Sequence, residues 1–181
     1  MPNWCHNAMT VTGPADEIAR FKQMCIREGR LDFNTIEPKP DFADDDHAPG
    51  SLFPKWYEWA CKHWGTKWNA SDFYVSIDER ERFECRFDTA WSPPVPIWEK
   101  MGSLFPALTF SLEGYEPLMD FAFEGTIRDG TLELRDVPLI WSTTDPKTGA
   151  VISGTRAEID AALEGQGGAV EIGVDGRRGA K

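Results

Sequence analysis

The chain has 181 residues, a formal net charge of −11 and a pI near 4.7, which is enough length for one domain with additions and a real core. So acidic a surface repels phosphate backbones and disfavours ordinary DNA or RNA binding, and no stretch is apolar for long enough to span a bilayer. The four cysteines are unevenly spaced with no CxxC pair, so they fit small buried hydrophobes of a reducing compartment better than a disulfide or zinc framework.

The opening MPNWCHNAMT has neither a charged n-region nor an apolar h-region, and the expectation is a soluble protein of the cytoplasm. The acidity itself has three readings. It maintains solubility, it steers the protein to a basic partner, or it imitates nucleic acid on a surface built for phosphates.

Asn7–Thr12 alternates, with Asn7, Met9 and Val11 on one side and Ala8, Thr10 and Thr12 on the other, the pattern of a half-buried strand. Gly13-Pro14 opens a helix with Asp16 and Glu17 in its first turn, a stripe of Ile18, Phe21 and Cys25, and Gly29 as its stop. Leu31–Ile36 reads as an edge strand or an extended lead-in. From Glu37 to Gly50 proline and aspartate end the pattern. Here Asp44-Asp45-Asp46-His47 lacks the spacing of a calcium loop and reads as a solvated acidic surface.

Trp56–Ala70, WYEWACKHWGTKWNA, holds four of the eight tryptophans. Trp56, Trp59, Ala60, His63 and Trp64 recur at helical steps after Pro54, and Gly65 supplies the stop. Two strands follow. Phe73, Val75 and Ile77 face the core on the first; Phe83, Cys85 and Phe87 do so on the second, with Arg82, Glu84 and Arg86 outward. Trp91-Ser92-Pro93-Pro94-Val95-Pro96 is an extended bend leading to a short helix with Ile97, Met101, Leu104 and Phe105 inward. Ala107–Gly114 alternates as a fourth strand.

Strand, helix, two strands, helix, strand is the ferredoxin-like βαββαβ order. The fold class expected is therefore α+β: an antiparallel sheet with two packed helices and a Trp-rich helical insertion at about 38–70. Residues 1–127 form this domain. Residues 128–181 are a β-rich extension: Asp129-Gly130 turns one hairpin between Met119–Ile127 and Thr131–Val137. A second hairpin joins Leu139–Thr144 to Ala150–Ser153. Thr155–Glu158 is a capping box, and Gly173–Lys181 is a loose tail.

Three motifs resemble the YubB-type ferredoxin-like domain of plasmid and bacteriophage proteins: Met1-Pro2-Asn3-Trp4-Cys5-x-Asn7, Trp64-Gly65-Thr66-Lys67-Trp68-Asn69-Ala70 and Thr89-Ala90-Trp91-Ser92-Pro93-Pro94. The resemblance covers roughly residues 1–127 and implies a mobile-element origin in a bacterial host. It carries no catalytic residue across.

The function expected is a non-enzymatic acidic binding module that engages a host protein or protein–nucleic-acid machine, in counter-defence or host modulation, with no cofactor and no metal. Lys67, Trp68, Asn69 and Trp91 would line its groove, since aromatics anchor interfaces, and Asp44, Asp45 and Asp46 would supply acidic contacts. The bland alternative packs Trp56, Trp59, Trp64, Trp68, Trp91 and Trp98 into a satellite core under the insertion. Two other functions compete. One is single-strand binding on a sheet face of Thr10, Thr12, Tyr74, Ser76, Arg82, Glu84, Arg86, Thr109, Ser111 and Glu113. The other is an enzyme using Pro2 as an N-terminal general base.

Overall fold

The computed structural model describes residues 3–43 and 46–163, with the backbone of Gly173–Val174. The chain runs β1 (Trp4–Thr12), α1 (Ala15–Cys25), β2 (Ile26–Arg27), β3 (Arg30–Leu31), a 3-10 turn (Phe33–Thr35), α2 (Lys55–His63), β4 (Ser71–Asp78), β5 (Arg82–Ala90), α3 (Val95–Leu104) and β6 (Thr109–Glu116). It continues through β7 (Phe121–Arg128), β8 (Thr131–Val137), β9 (Trp141–Thr144), β10 (Val151–Gly154), α4 (Arg156–Ala162) and β11 (Gly173–Val174). The fold is α+β. Six antiparallel strands stand in the order β4-β5-β1-β6-β7-β8, and a small sheet β10-β9-β11 accompanies them. No helix among the described residues is long and apolar enough to cross a membrane.

Alternation sorts the two faces of the main sheet. One face sends Cys5, Met9, Val11, Phe83, Cys85, Phe87, Phe110 and Leu112 into the core, where Ile18 and Phe21 of α1 and Ile97, Trp98 and Met101 of α3 meet them. Phe21 stands edge-on to Phe83, Phe105 and Phe110 at 6.0, 5.5 and 5.7 Å, the geometry ring quadrupoles favour. Gly102 lets α3 close on the β7–β8 turn, where a Cβ would press on Ile127 and the Gly130 carbonyl.

Several elements depart from their expected bounds. β1 begins at Trp4, so Trp4, Cys5 and His6 pair with Ala90, Thr89 and Asp88 instead of interrupting the strand. α1 ends at Cys25, because Glu28 and Gly29 take positive φ (50° and 74°) to turn β2 into β3. Of Leu31–Ile36 only Leu31 is strand, at the end of β3, and Asp32 is extended; Asp32 accepts from the Asn34 N–H and starts the 3-10 turn. β6 starts at Thr109, since Leu108 still closes the end of α3 by donating to the Phe105 carbonyl at 3.0 Å. In α3, Trp98 replaces Leu104 in the buried stripe.

The insertion is fastened to the main core rather than to a core of its own. Trp64 is buried there against Phe33, 5.9 Å away, and Phe33 in turn meets Phe87 at 6.3 Å. The satellite core of six tryptophans is thus not formed: Trp64 and Trp98 are in the main core, Trp56 and Trp59 are half-buried, and Trp68 and Trp91 are 39% and 38% exposed. Glu37 ties the insertion down. Its carbonyl accepts from the Trp64 indole at 2.9 Å, and its carboxylate pairs with His63 and Lys100.

The β7–β8 hairpin, turned by Asp129 (φ 51°) and Gly130 (φ 76°), continues the main sheet. Beyond it the chain folds over one end of the sheet's second face. Leu139, Trp141 and Ile159 bury against Ala122, with Tyr115 and Val137 alongside. Thr155 and Glu158 form the full capping box of α4. Within the expected tail, Gly173 and Val174 pair with Ser142 and Trp141; residues 175–181 lie outside the described residues. Both edges of the main sheet are irregular or charged. β4 has two register shifts and Asp72 at φ 47°, and β8 exposes Glu133, Arg135 and Asp136.

Candidate functional site

The two tryptophan-bearing connectors meet, and Lys67 stands at their junction. Its ammonium lies 4.4 Å from the Trp68 ring centre, 5.4 Å from Trp91, 5.7 Å from Tyr57 and 5.9 Å from Trp56. Each ring face carries negative quadrupole density, so the cation holds four rings in mutual register at about 0.5–1 kcal/mol per exposed contact. The cluster continues outward. Trp4 meets Trp68 at 6.2 Å, Tyr57 meets Trp91 at 6.2 Å, and Phe53, 51% exposed, stacks on Tyr57 at 4.7 Å. The result is an exposed aromatic face with one cation in it.

Beneath it lies a buried polar network built from the motif residues. Asn7 Nδ2 donates to Thr89 Oγ1 at 3.0 Å and to the Cys5 and Phe87 carbonyls at 2.8 and 3.2 Å. Thr89 Oγ1 donates to the Ser92 carbonyl at 2.7 Å, Ser92 Oγ to the Gly65 carbonyl at 2.6 Å, and Thr66 Oγ1 to the Ala90 carbonyl at 2.9 Å. Gly65, at φ 78°, sits so close to the second connector that a Cβ would meet Pro96 and the Pro93 carbonyl. The network overdetermines the bend, and what it holds is strained: Trp91 takes φ 69°. A bulky side chain in the left-handed region is a true outlier, costing about 1–3 kcal/mol.

Of the residues expected to bind a partner, Lys67, Trp68 and Trp91 come together. Asn69 does not join them. It turns inward, accepting from the Phe33 N–H at 2.8 Å and donating to Asp32 at 2.6 Å, and so fixes the insertion's entry. Asp46 is committed to Lys55 at 2.8 Å; Asp44, Asp45 and Pro2 lie outside the described residues. Tyr57 and Trp4 are members the sequence did not single out. Trp4 was already inside the N-terminal motif, but Tyr57 carries no signal that distinguishes it from its neighbours on α2.

The second face of the sheet is a broad trough of about 850 Å³ in which Arg82, Arg86 and Arg135 are outnumbered by Glu84, Glu113, Glu124 and Glu133. Tyr74 stands on this face, 64% exposed. Reactive thiol chemistry is absent from the buried cysteines: burial pushes Cys5, Cys25 and Cys85 up to about 12, so they stay protonated thiols. Alternation sends Cys5 and His6 to opposite faces of β1.

No protein-family model and no curated protein matches the chain. Among solved structures it is similar to the crystal structure of protein api92 from Yersinia pseudotuberculosis, described with the family model DUF1281, at a TM-score of 0.55 and 8% identity, over 76% of this chain and 98% of that one. So distant a likeness is one of fold alone.

Proposed function

We propose that the protein is a non-enzymatic binding module that engages a protein partner through the Lys67–Trp68–Trp91–Tyr57 face. One observation carries the reading: a strained backbone, held by buried hydrogen bonds and close packing, keeps Trp91 partly in water beside an exposed Trp68. Strain of this kind persists where presentation of a side chain matters, and Trp and Tyr are the residues on which interface energy concentrates. The net charge of −11 favours a basic partner by steering.

The order β6-β1-β5-β4 with α1 and α3 on one face supports a ferredoxin-like core, extended by β7 and β8. Asn7, Gly65, Thr66, Thr89 and Ser92 of the three motifs act together in holding the bend; the phage or plasmid origin and the host machine as target rest on the sequence resemblance to YubB-type domains. Single-strand binding on the sheet is the poorer reading, because carboxylates outnumber guanidiniums in the trough.

The test is affinity capture from bacterial host lysate with the wild-type chain and with a Trp68→Ala, Trp91→Ala double variant, at low and high salt. A partner lost with a folded double variant, and weakened by salt, supports the reading. The same partners retained by that variant would sink it.

A further inference from the structure

Within the aromatic face, Lys67 is a charge held in place without a counter-charge. The connector is pinned on both sides of it. Thr66 Oγ1 donates to the Ala90 carbonyl at 2.9 Å, while Asn69 accepts from the Phe33 N–H at 2.8 Å and donates to Asp32 at 2.6 Å. Thr66 and Asn69 thus turn inward, and the backbone between them is fixed before any partner arrives, which lowers the ordering cost of a contact. The Lys67 ammonium lies between 4.4 and 5.9 Å from the centres of Trp68, Trp91, Tyr57 and Trp56. No other cation among the described residues stands over more than one ring.

Three other lysines meet carboxylates: Lys22 pairs with Asp78 at 2.5 Å, Lys55 with Asp46 at 2.8 Å, and Lys100 with Glu37. Lys67 has neither an ion pair nor a hydrogen bond among the described residues, and rings alone meet its charge. This holds in a chain whose 30 Asp and Glu outnumber its 19 Lys and Arg. Ring faces attract the ammonium through their quadrupoles, yet its three N–H donors find no oxygen acceptor among the described residues. Around it Trp68, Trp91 and Phe53 keep exposed apolar surface. An apolar rim around a polar centre excludes water from a contact made there.

Charge decides what the ammonium can take. A basic side chain meets a like charge at contact. A phosphate brings about two negative charges; one ammonium neutralises one of them, and the remainder faces a chain of net charge −11. A carboxylate matches the ammonium one to one and accepts a charge-assisted hydrogen bond from it. We infer that the partner segment places one Asp or Glu side chain on Lys67, with aliphatic neighbours lying against Trp68 and Trp91. The inference rests on the proposed partner face and names what that face recognises. It agrees with a partner that is basic as a whole: the net charge acts during approach, whereas Lys67 acts at contact, where an unlike charge is needed.

Titration calorimetry on the full chain tests it with acetyl-Leu-Glu-Leu-amide and the same peptide carrying Gln, Lys or phosphoserine at the centre. The Glu peptide should bind saturably at millimolar concentration and about tenfold more tightly than the Gln peptide, since only it offers Lys67 a charge-assisted contact. Lys67→Met keeps an apolar stem of similar length, so it should erase that gap with the melting temperature within a few degrees of wild type. Lys67→Arg should restore the gap. Equal binding of the Glu and Gln peptides, lost together in the Trp68→Ala, Trp91→Ala double variant, would overturn the inference and leave the partner face standing. Tighter binding of the Lys or phosphoserine peptide would overturn it, as would a gap that Lys67→Met leaves intact. Absence of heat from all four peptides would also overturn it, and partner capture with the double variant then decides the face by itself.

Discussion

The Ser92 hydroxyl donates to the Gly65 carbonyl at 2.6 Å, so the residue that ends the α2 segment is bonded to the residue that follows the strained Trp91. The two connectors are one structural unit. Gly65→Ala should therefore damage both at once, through a left-handed backbone that disfavours a Cβ by about 1–2 kcal/mol and through contact with Pro96 and the Pro93 carbonyl. We expect a stability loss of about 2–4 kcal/mol in urea unfolding, against about 1 kcal/mol for Ser92→Ala.

Replacing Trp91 separates presentation from stability. Trp91→Asn removes a ring that is 38% exposed and puts a residue tolerant of positive φ in its place. Lost burial of about 1.5–3 kcal/mol is offset by relief of about 1–3 kcal/mol of strain. The expected outcome is a melting temperature within a few degrees of wild type, together with loss of partner capture. Trp64→Ala, at a site 3% exposed, should instead cost about 3–5 kcal/mol, which circular dichroism would register as a large drop in melting temperature.

Much of the fold was legible in the chain, and the exceptions share a cause. Alternation put Phe83, Cys85, Phe87, Phe110 and Leu112 inward, and they are inward; Asp129-Gly130 marked a hairpin, and the hairpin is there. Local pattern failed wherever a distant partner decides the outcome. Asn69 is recruited by Asp32 and Phe33, 37 and 36 residues away. His6 is drawn into β1 by pairing with Asp88 and Tyr115, against the weak strand preference of Asn, Cys and His around it. Usual burial placed Trp68 and Trp91 inside, but a tertiary network sets the φ of Trp91, and no window of sequence encodes that angle. Likewise, the face expected to be wet is partly covered by residues 139–159.

Alkaline solution should destabilise the protein through its buried thiols. Cys5, Cys25 and Cys85 are raised from 9.0 to about 12 by burial. A raised folded value means that the unfolded chain releases these protons first. The contribution is complete below about pH 9 and is lost as pH rises toward 12, at up to about 1.4 kcal/mol per pH unit for each thiol. Urea midpoints should hold flat from pH 7 to 8.5 and fall above that, and Cys85→Ala, though less stable at pH 7, should show a shallower fall.

Gly114→Ala probes the junction between β1 and β6. A Cβ there would collide with the His6 carbonyl oxygen and the Phe123 ring, and neither has room to retreat, since Phe123 is buried against Trp98 at 5.5 Å. We expect about 2–3 kcal/mol of destabilisation, or roughly 4–12 °C in melting temperature for a chain of this length.

The irregular edges of the main sheet have a consequence for how the molecule behaves in company. β4 is kinked by two register shifts and by Asp72 in the left-handed region, and β8 lines its outer side with Glu133, Arg135 and Asp136. The first breaks the flat run of amides that strand addition needs, and the second flanks its edge with charged side chains. The protein is therefore poorly made for recruiting another chain by backbone pairing, or for stacking copies of itself into ribbons. At high concentration it should stay monodisperse despite its exposed tryptophans, and discrimination between partners falls to side chains alone.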